Sequence, residues 1–270
     1  MTEDYIDEKT GLLYCGKCHT PKEKAFPVEF MGMKKHPVLC ACAAAEQERL
    51  AREARQRERQ EQLEHLRREA FGEIPAGDWR FDRVTMTPAL QKARRYADCW
   101  EEMQKNGIGL LLFGTVGTGK SYAAGCIANA LIDGGHSVRF VGLSDVVNRM
   151  QGLSGGERDA YMESLLKPEL LILDDLGAER STSFGREQVF HVINKRTLSG
   201  RPLIVTTNIP LGAMQQAEDI QDRRIYDRIL EVCVPIRFQG ESFRRTNAAE
   251  NLRKAAEILS AVQEDKPHRP

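Results

Sequence analysis

The sequence predicts an α/β fold, a mostly parallel five-stranded sheet between helices, preceded by a small metal-organised module and a charged helix. Three observations predict it. Apolar runs alternate with helix-like stretches from about Trp79 onward, a glycine-rich turn joins one apolar run to the next helix-like stretch, and four cysteines form two short knuckles near the start. Alternation of strand and helix patterns argues for parallel strands covered on both faces.

The first element, residues 1–43, contains Cys15, Cys18, Cys40 and Cys42 with Gly, Pro and His between them. A C-x-x-C knuckle and a tighter C-x-C knuckle supply four thiolates, enough for a tetrahedral Zn²⁺ that holds together a segment too small for an apolar core. Such a zinc is structural, because four protein ligands leave no open coordination position. His19 and His36 are substitute ligands for a Cys₃His set, and a metal-free tail with accidental cysteines is the third reading. Cys99, Cys126 and Cys233 lie in apolar contexts and read as core thiols. The acidic start MTEDYIDEKTG has neither the basic nor the apolar region of a signal peptide, so a cytoplasmic protein with reduced thiols is expected.

Residues 44–70 are strong helix formers without Gly or Pro, with Arg and Glu at spacings that allow i,i+4 pairing. Leu50, Leu63 and Leu66 are too sparse for a sustained heptad seam, which favours a solvated bridging helix over a coiled coil. Phe71-Gly72 and the Pro75-Ala76-Gly77 turn end it. The expected organisation is a zinc-binding module at 1–43, a charged helix and linker at 44–78, the α/β domain at 79–245, and a C-terminal helix and tail at 246–270.

Within the main domain the expected strands are Gly109–Phe113, Val138–Val141, Leu170–Asp174, Leu203–Thr207 and Val232–Phe238. Helix-like stretches lie between them, around 121–133, 145–166, 186–198 and 220–231. The last helix is expected over Thr246–Gln263, with 264–270 as a frayed tail. No run approaches the roughly 18 apolar residues of a membrane helix. Lys+Arg and Asp+Glu are equal at 39 each, which excludes a dedicated polycationic nucleic-acid coat and leaves only local contacts.

Gly114-Thr115-Val116-Gly117-Thr118-Gly119-Lys120-Ser121 fits G-x-x-x-x-G-K-[ST] in full, after the apolar run Leu110–Phe113 and before a helix-like stretch that starts at Tyr122. Glycines let backbone N–H groups and the helix N-terminus face phosphates, while Lys120 reaches the β/γ-phosphates and Ser121 ligates Mg²⁺. The motif therefore predicts an ATP site over Gly114–Tyr122. Leu170–Asp175 is a buried-strand pattern ending in two carboxylates, and charges at such a place need partners. Asp174 is assigned to the Mg²⁺ shell and Asp175 to polarising the attacking water, with Glu179 as a second candidate base. Asn208 closes the strand Leu203–Thr207 on a polar tip near the γ-phosphate; its alternative reading is the start of the turn before Pro210.

Together LLLFGTVGTGKS, LLILDDLGAERS, PLIVTTN and RIYDRILE resemble the DnaC/DnaI-type loaders of the replicative DNA helicase, AAA+ ATPases whose core is shared by IstB-type transposase helpers. The resemblance covers roughly residues 72–245. It implies an AAA+ P-loop NTPase domain that binds and hydrolyses ATP with Mg²⁺. Asn208 would be sensor 1, Arg228 an arginine finger acting on a neighbouring subunit, and Arg244 the sensor 2 arginine. Asp175 departs from the Glu that many relatives carry. The implied partners are a helicase hexamer, docked by the zinc module, single-stranded DNA, and further copies of the chain through the ATP site. An IstB-like helper acting on duplex DNA is the alternative, and a non-catalytic nucleotide-switched adaptor a third. Trp79 falls where relatives place an aromatic near the adenine, with plain core packing the other reading. Arg149 and Arg158 are candidates for phosphates in a central channel, or members of a solvated face.

Overall fold

The computed structural model describes residues 3–30, 33–178, 182–240 and 242–261, with backbone alone at 28–30, 244–250 and 260–261. The chain divides into two compact units, Met1–Gln62 and Leu63–Pro270.

In the first unit β1 (Tyr5–Ile6) pairs antiparallel with β2 (Leu13–Tyr14), and β3 (Glu23–Phe30) with β4 (Met33–Pro37). Among its described side chains the buried apolar ones are Cys15 and Cys40, so hydrophobic burial contributes little here. Helix α1 (Ala41–Phe71) begins three residues earlier than its sequence pattern suggests, which places Cys42 in its first turn. Its exposed surface is laced by Arg49 with Glu46 (2.6 Å) and Glu53 (2.5 Å), and by Arg52 with Glu48. Its last turn closes with the Gly72 N–H donating to the Arg68 carbonyl at 3.0 Å.

The second unit opens with two helices that the alternation does not reveal, α2 (Pro88–Asp98) and α3 (Trp100–Lys105). Thr87 caps α2 by accepting from Leu90 N–H, and Pro88 occupies the first turn, where a missing N–H costs nothing. Then follow β5 (Gly109–Gly114), α4 (Lys120–Asp133), β6 (Val138–Gly142), α5 (Leu143–Gly152), α6 (Gly155–Leu166) and β7 (Leu170–Leu176). The chain continues through α7 (Ser183–Leu198), β8 (Leu203–Thr207), α8 (Leu211–Gln215), α9 (Ile220–Val232), β9 (Cys233–Phe238) and α10 (Phe243–Ala261). The stretch around 145–166, read as one helical segment, is two helices: Leu153 is extended, and Ser154 with Glu157 forms a capping box that starts α6 afresh.

The five strands β5–β9 form one parallel sheet in the order β6-β7-β8-β5-β9. Their alternate residues feed two cores. Leu110, Leu112, Ile172 and Ile204 pack with α2 and α4 residues on one face, whereas Leu111, Leu171, Leu173, Leu203 and Val205 pack with α5, α7 and α9 residues on the other. Because β8 sits between β5 and β7, the loops at the carboxyl ends of all three meet at one place. Among the described residues no helix is long and apolar enough to cross a membrane.

One buried cation organises the opposite end of the sheet. Arg196, fully buried in the last turn of α7, donates to the carbonyls of Leu166, Pro168, Glu169 and Pro202 through five hydrogen bonds of 2.6–3.1 Å. Burial, with the charge of Arg201, pulls the guanidinium down to about 9. It remains a cation at neutral pH and ties the end of α6 to the amino ends of β7 and β8.

Candidate functional site

The turn between β5 and α4 departs from ordinary backbone where its glycines stand: Gly117 has φ 82° and Gly119, the residue before α4, has φ 91°. These left-handed conformations are nearly free only for glycine. They bend the chain so that the N-terminus of α4 opens into a cleft of 570 Å³. Trp79, Lys120, Ser121, Asp174, Asp175 and Asn208 all line it. The cleft thus gathers the predicted phosphate, metal and water-polarising residues.

Lys120 is 7% exposed, and its ammonium donates to the Gly114 and Thr115 carbonyls (3.0 and 2.8 Å) and to Asn208 Oδ1 (2.8 Å). Asn208 in turn donates from Nδ2 to Asp175 Oδ1 at 3.0 Å. A hydrogen-bonded chain therefore runs from the end of β5 through the end of β8 to the end of β7. The turn reading of Asn208 is not exclusive of this, since the residue both leads toward Pro210 and bridges the site.

Thr206, which the sequence pattern did not single out, organises the two carboxylates. Its hydroxyl donates to Asp174 Oδ1 at 2.6 Å and accepts from the Asp175 N–H at 2.9 Å. Asp175 has φ 62°, a left-handed conformation that Asp tolerates better than most residues, and the β7–β8 register shifts there. Burial, with the Asp175 charge adding to it, raises the Asp174 pKa, while hydrogen bonds from the Thr206 and Ser121 hydroxyls work against the rise. A half-buried carboxylate beside a serine hydroxyl is a hard-oxygen donor set that a magnesium ion would satisfy.

Trp79 packs against the core and also lines the cleft, its ring 5.5 Å from that of Tyr122 and 6.2 Å from that of Phe140. At the other lip the Phe243 N–H donates to the Gly117 carbonyl at 3.0 Å, which brings the start of α10 onto the phosphate turn. The Arg244 side chain and the whole of Glu179 lie outside the described residues.

A family model for the IstB-like ATP binding protein matches residues 42–251. The chain belongs to that family. The replicative helicase loader DnaC of Escherichia coli (strain K12) is 28% identical over 160 residues, which is 58% of this chain and 63% of that protein. This chain thus matches less than two thirds of the loader's own length. An insertion sequence ATP-binding protein of Sinorhizobium fredii (strain NBRC 101917 / NGR234) is 31% identical over 180 residues, 64% of this chain and 58% of that one. Among solved structures, that of DnaI superposes with a TM-score of 0.53 at 25% identity, covering 64% of this chain and 94% of that chain. The sheet order and the cleft are accordingly those of an AAA+ P-loop domain, and this IstB-like protein carries the ATP-binding architecture of its family.

The two arginines weighed as phosphate contacts or members of a solvated face both have partners within this IstB-like chain. The Arg158 guanidinium donates to the Met150 and Leu153 carbonyls at the end of α5 and lies 5.3 Å from the Phe184 ring. Arg149 stacks on Tyr161 at 5.1 Å. Arg228 lies on α9, partly exposed, paired to Glu231 at 2.8 Å and not among the residues lining the cleft.

In the first unit the sulfurs of Cys15, Cys18, Cys40 and Cys42 all lie within 4.8 Å of one another, with Cys42 3.6 Å from Cys15 and 3.4 Å from Cys40. Sulfurs each about 2.3 Å from one tetrahedral zinc would stand about 3.8 Å apart, so the cluster has the size of such a site. The Thr20 hydroxyl, with the Cys42 and Thr20 N–H groups, pulls Cys18 down to about 5, while the sulfurs of Cys40, Cys15 and Cys18 push Cys42 up to about 12. A divalent cation removes that conflict by stabilising every thiolate at once. His19 bonds to the Tyr5 hydroxyl (3.3 Å) and His36 to the Pro37 carbonyl (3.3 Å), and neither belongs to the cluster, which leaves a four-cysteine set that could hold zinc. Cys126 and Cys233 are buried thiols, Cys126 pushed up to about 12 by burial, in keeping with core packing.

Proposed function

We propose that this protein is an ATP-dependent loader that places a hexameric replicative DNA helicase on single-stranded DNA, hydrolysing ATP to ADP and phosphate. The observation that carries the reading is the similarity to the E. coli loader over the nucleotide-binding core. The cleft supports the chemistry. Backbone N–H groups of Gly114–Ser121 and the amino end of α4 receive the phosphates, and Lys120 turns from the loop carbonyls toward them. Mg²⁺ held by Ser121 and Asp174 would neutralise charge on the β- and γ-phosphates. Asp175 takes up hydrogen-bonding with the attacking water, held in place by Asn208. Arg228, remote from its own cleft, would complete the site of a neighbouring copy, and Arg244 would sense the phosphates from α10. Such a finger is worth about 10³–10⁵ in rate, so self-association through the ATP site belongs to this reading.

The module of residues 1–43, organised by structural zinc, would dock the helicase, and residues 44–78 would carry it as helix and linker. The AAA+ domain would span 79–245 and the C-terminal helix and tail 246–270. Such a loader works in the cytoplasm. A second reading, an ATPase helper of a transposase acting on duplex DNA, is favoured by the similarity to the insertion sequence protein.

The two part company in one experiment. The purified chain is mixed with the replicative helicase of its own host, and the mass of the mixture is measured with ATP, without nucleotide, and with the Cys40→Ser variant. A nucleotide-sensitive complex that the variant loses is expected of a loader docking through its zinc module. Absence of a complex under every condition would transfer the assignment to the transposase helper.

A further inference from the structure

Helix α4 does more than present its N-terminus to phosphates. At spacings of three and four residues, Tyr122, Gly125, Asn129 and Asp133 form one stripe along it, and each meets the segment Ala76–Arg80 or α1. The Tyr122 hydroxyl donates to the Arg80 carbonyl at 3.0 Å. Asn129, fully buried, donates from Nδ2 to the Ala76 carbonyl at 2.8 Å and the Trp79 carbonyl at 3.0 Å. Asp133 pairs with Arg67 and, at 3.9 Å, with Arg80. Gly125 is the gap in the stripe: a Cβ there would stand 2.2 Å from the Trp79 ring. The indole therefore lies directly on the helix backbone, held through its backbone carbonyl and packed against the Tyr122 ring, 5.5 Å away.

We propose that this stripe positions the Trp79 wall of the nucleotide cleft, making Asn129 a positioning residue for the base end of the bound nucleotide. The inference rests on the assignment of the cleft to ATP. Since the phosphate turn occupies one end of the cleft, the apolar wall of Trp79, Val84 and Leu90 receives what remains of the nucleotide, and an aromatic face suits a purine. Trp79 has no side-chain hydrogen bond to hold it among those described, so its placement depends on its backbone carbonyl and on the missing Cβ at residue 125. A buried amide with its two N–H groups spent on the linker and on the Gly125 carbonyl (3.1 Å) fixes both. The same helix thus holds the two ends of one ligand, phosphates at its N-terminus and base wall along its side.

The test separates base from phosphate. Affinities of the full-length protein for ATP and for inorganic tripolyphosphate, which lacks the base and ribose, are measured by calorimetry with Mg²⁺. Asn129→Leu removes the amide at similar volume. Gly125→Ala displaces the indole while leaving the Asn129 amide in the helix. Each is expected to weaken ATP by about tenfold, the scale of one lost stacking contact, while tripolyphosphate binding stays unchanged. In a Trp79→Ala background, Asn129→Leu should cost ATP affinity nothing further. A parallel loss of ATP and tripolyphosphate would make Asn129 a general support of α4 and overturn the proposal, as would additive losses in the Trp79→Ala background. Failure of the unaltered protein to bind ATP while it binds tripolyphosphate would instead overturn the assignment of the cleft.

Discussion

Replacing Asp175 with Asn is expected to lower ATP turnover by about a hundredfold or more, the usual range for removing a general base, while ATP affinity stays within about threefold. Affinity is expected to be spared because the proposed phosphate contacts come from Lys120 and the loop, and Asn208 Nδ2 can donate to the Oδ1 of an asparagine as it donates to the carboxylate now. The backbone is spared as well, since Asn tolerates the left-handed conformation at φ 62° as readily as Asp. Only the negative charge proposed to polarise the water is lost. Single-turnover hydrolysis alongside equilibrium binding checks both halves. Unchanged turnover would assign the water-polarising role to another group, with Glu179 the next to test.

Arg196→Met should be the most destabilising single change in the second unit away from the site. Methionine fills similar space but leaves the Leu166, Pro168, Glu169 and Pro202 carbonyls without the five donors that now meet them. Uncompensated buried carbonyls cost about 1–3 kcal/mol apiece, and partial relaxation leaves a net loss of about 3 kcal/mol or more. For a unit of this size that corresponds to a fall of roughly 6–12 °C in melting temperature. Arg196→Lys keeps the charge with three donors and should fall between. Because these carbonyls lie at the amino ends of β7 and β8, the folded fraction should bind ATP normally. Calorimetric melting with ATP titration below the transition tests the pair of statements, and an unaltered melting temperature would show that the carbonyls find other partners.

The sheet was legible because its strands are short apolar runs with both faces buried, and each observed strand lies within about two residues of the pattern. The phosphate turn was legible because its chemistry demands glycines at fixed places. What escaped notice shares a different physical character. The start of α2 depends on a Thr-Pro cap and an amphipathic stripe next to a linker, which alternation does not register. The break at Leu153 is local, made by one serine and one glutamate that close on each other. Arg196 reads in sequence as one more helix arginine beside Lys195, yet it is fully buried, and only the packing of α7 against the sheet makes it a staple. Arg158 illustrates the converse. A basic residue near an expected channel reads as a phosphate contact or as part of a solvated face, whereas helix α5 ends with carbonyls that need donors, and the guanidinium meets that nearer demand. Thr206 could have been found from its place at the polar tip of an apolar strand, the same signal that exposed Asn208. The tight C-x-C knuckle becomes intelligible once α1 starts at Ala41, since a helical first turn brings Cys42 back toward Cys40.

The central claim is tested most directly by helicase loading itself. The hexameric helicase of the same host is offered closed circles of single-stranded DNA, and the amount retained on the circles after gel filtration is measured with and without this protein and ATP. The account predicts retention that requires both, that persists with Asp175→Asn only as an unreleased ternary complex, and that vanishes with Cys40→Ser. Retention at the same level without the protein, or ATP-dependent binding of the protein to duplex DNA with no helicase transfer, would contradict it.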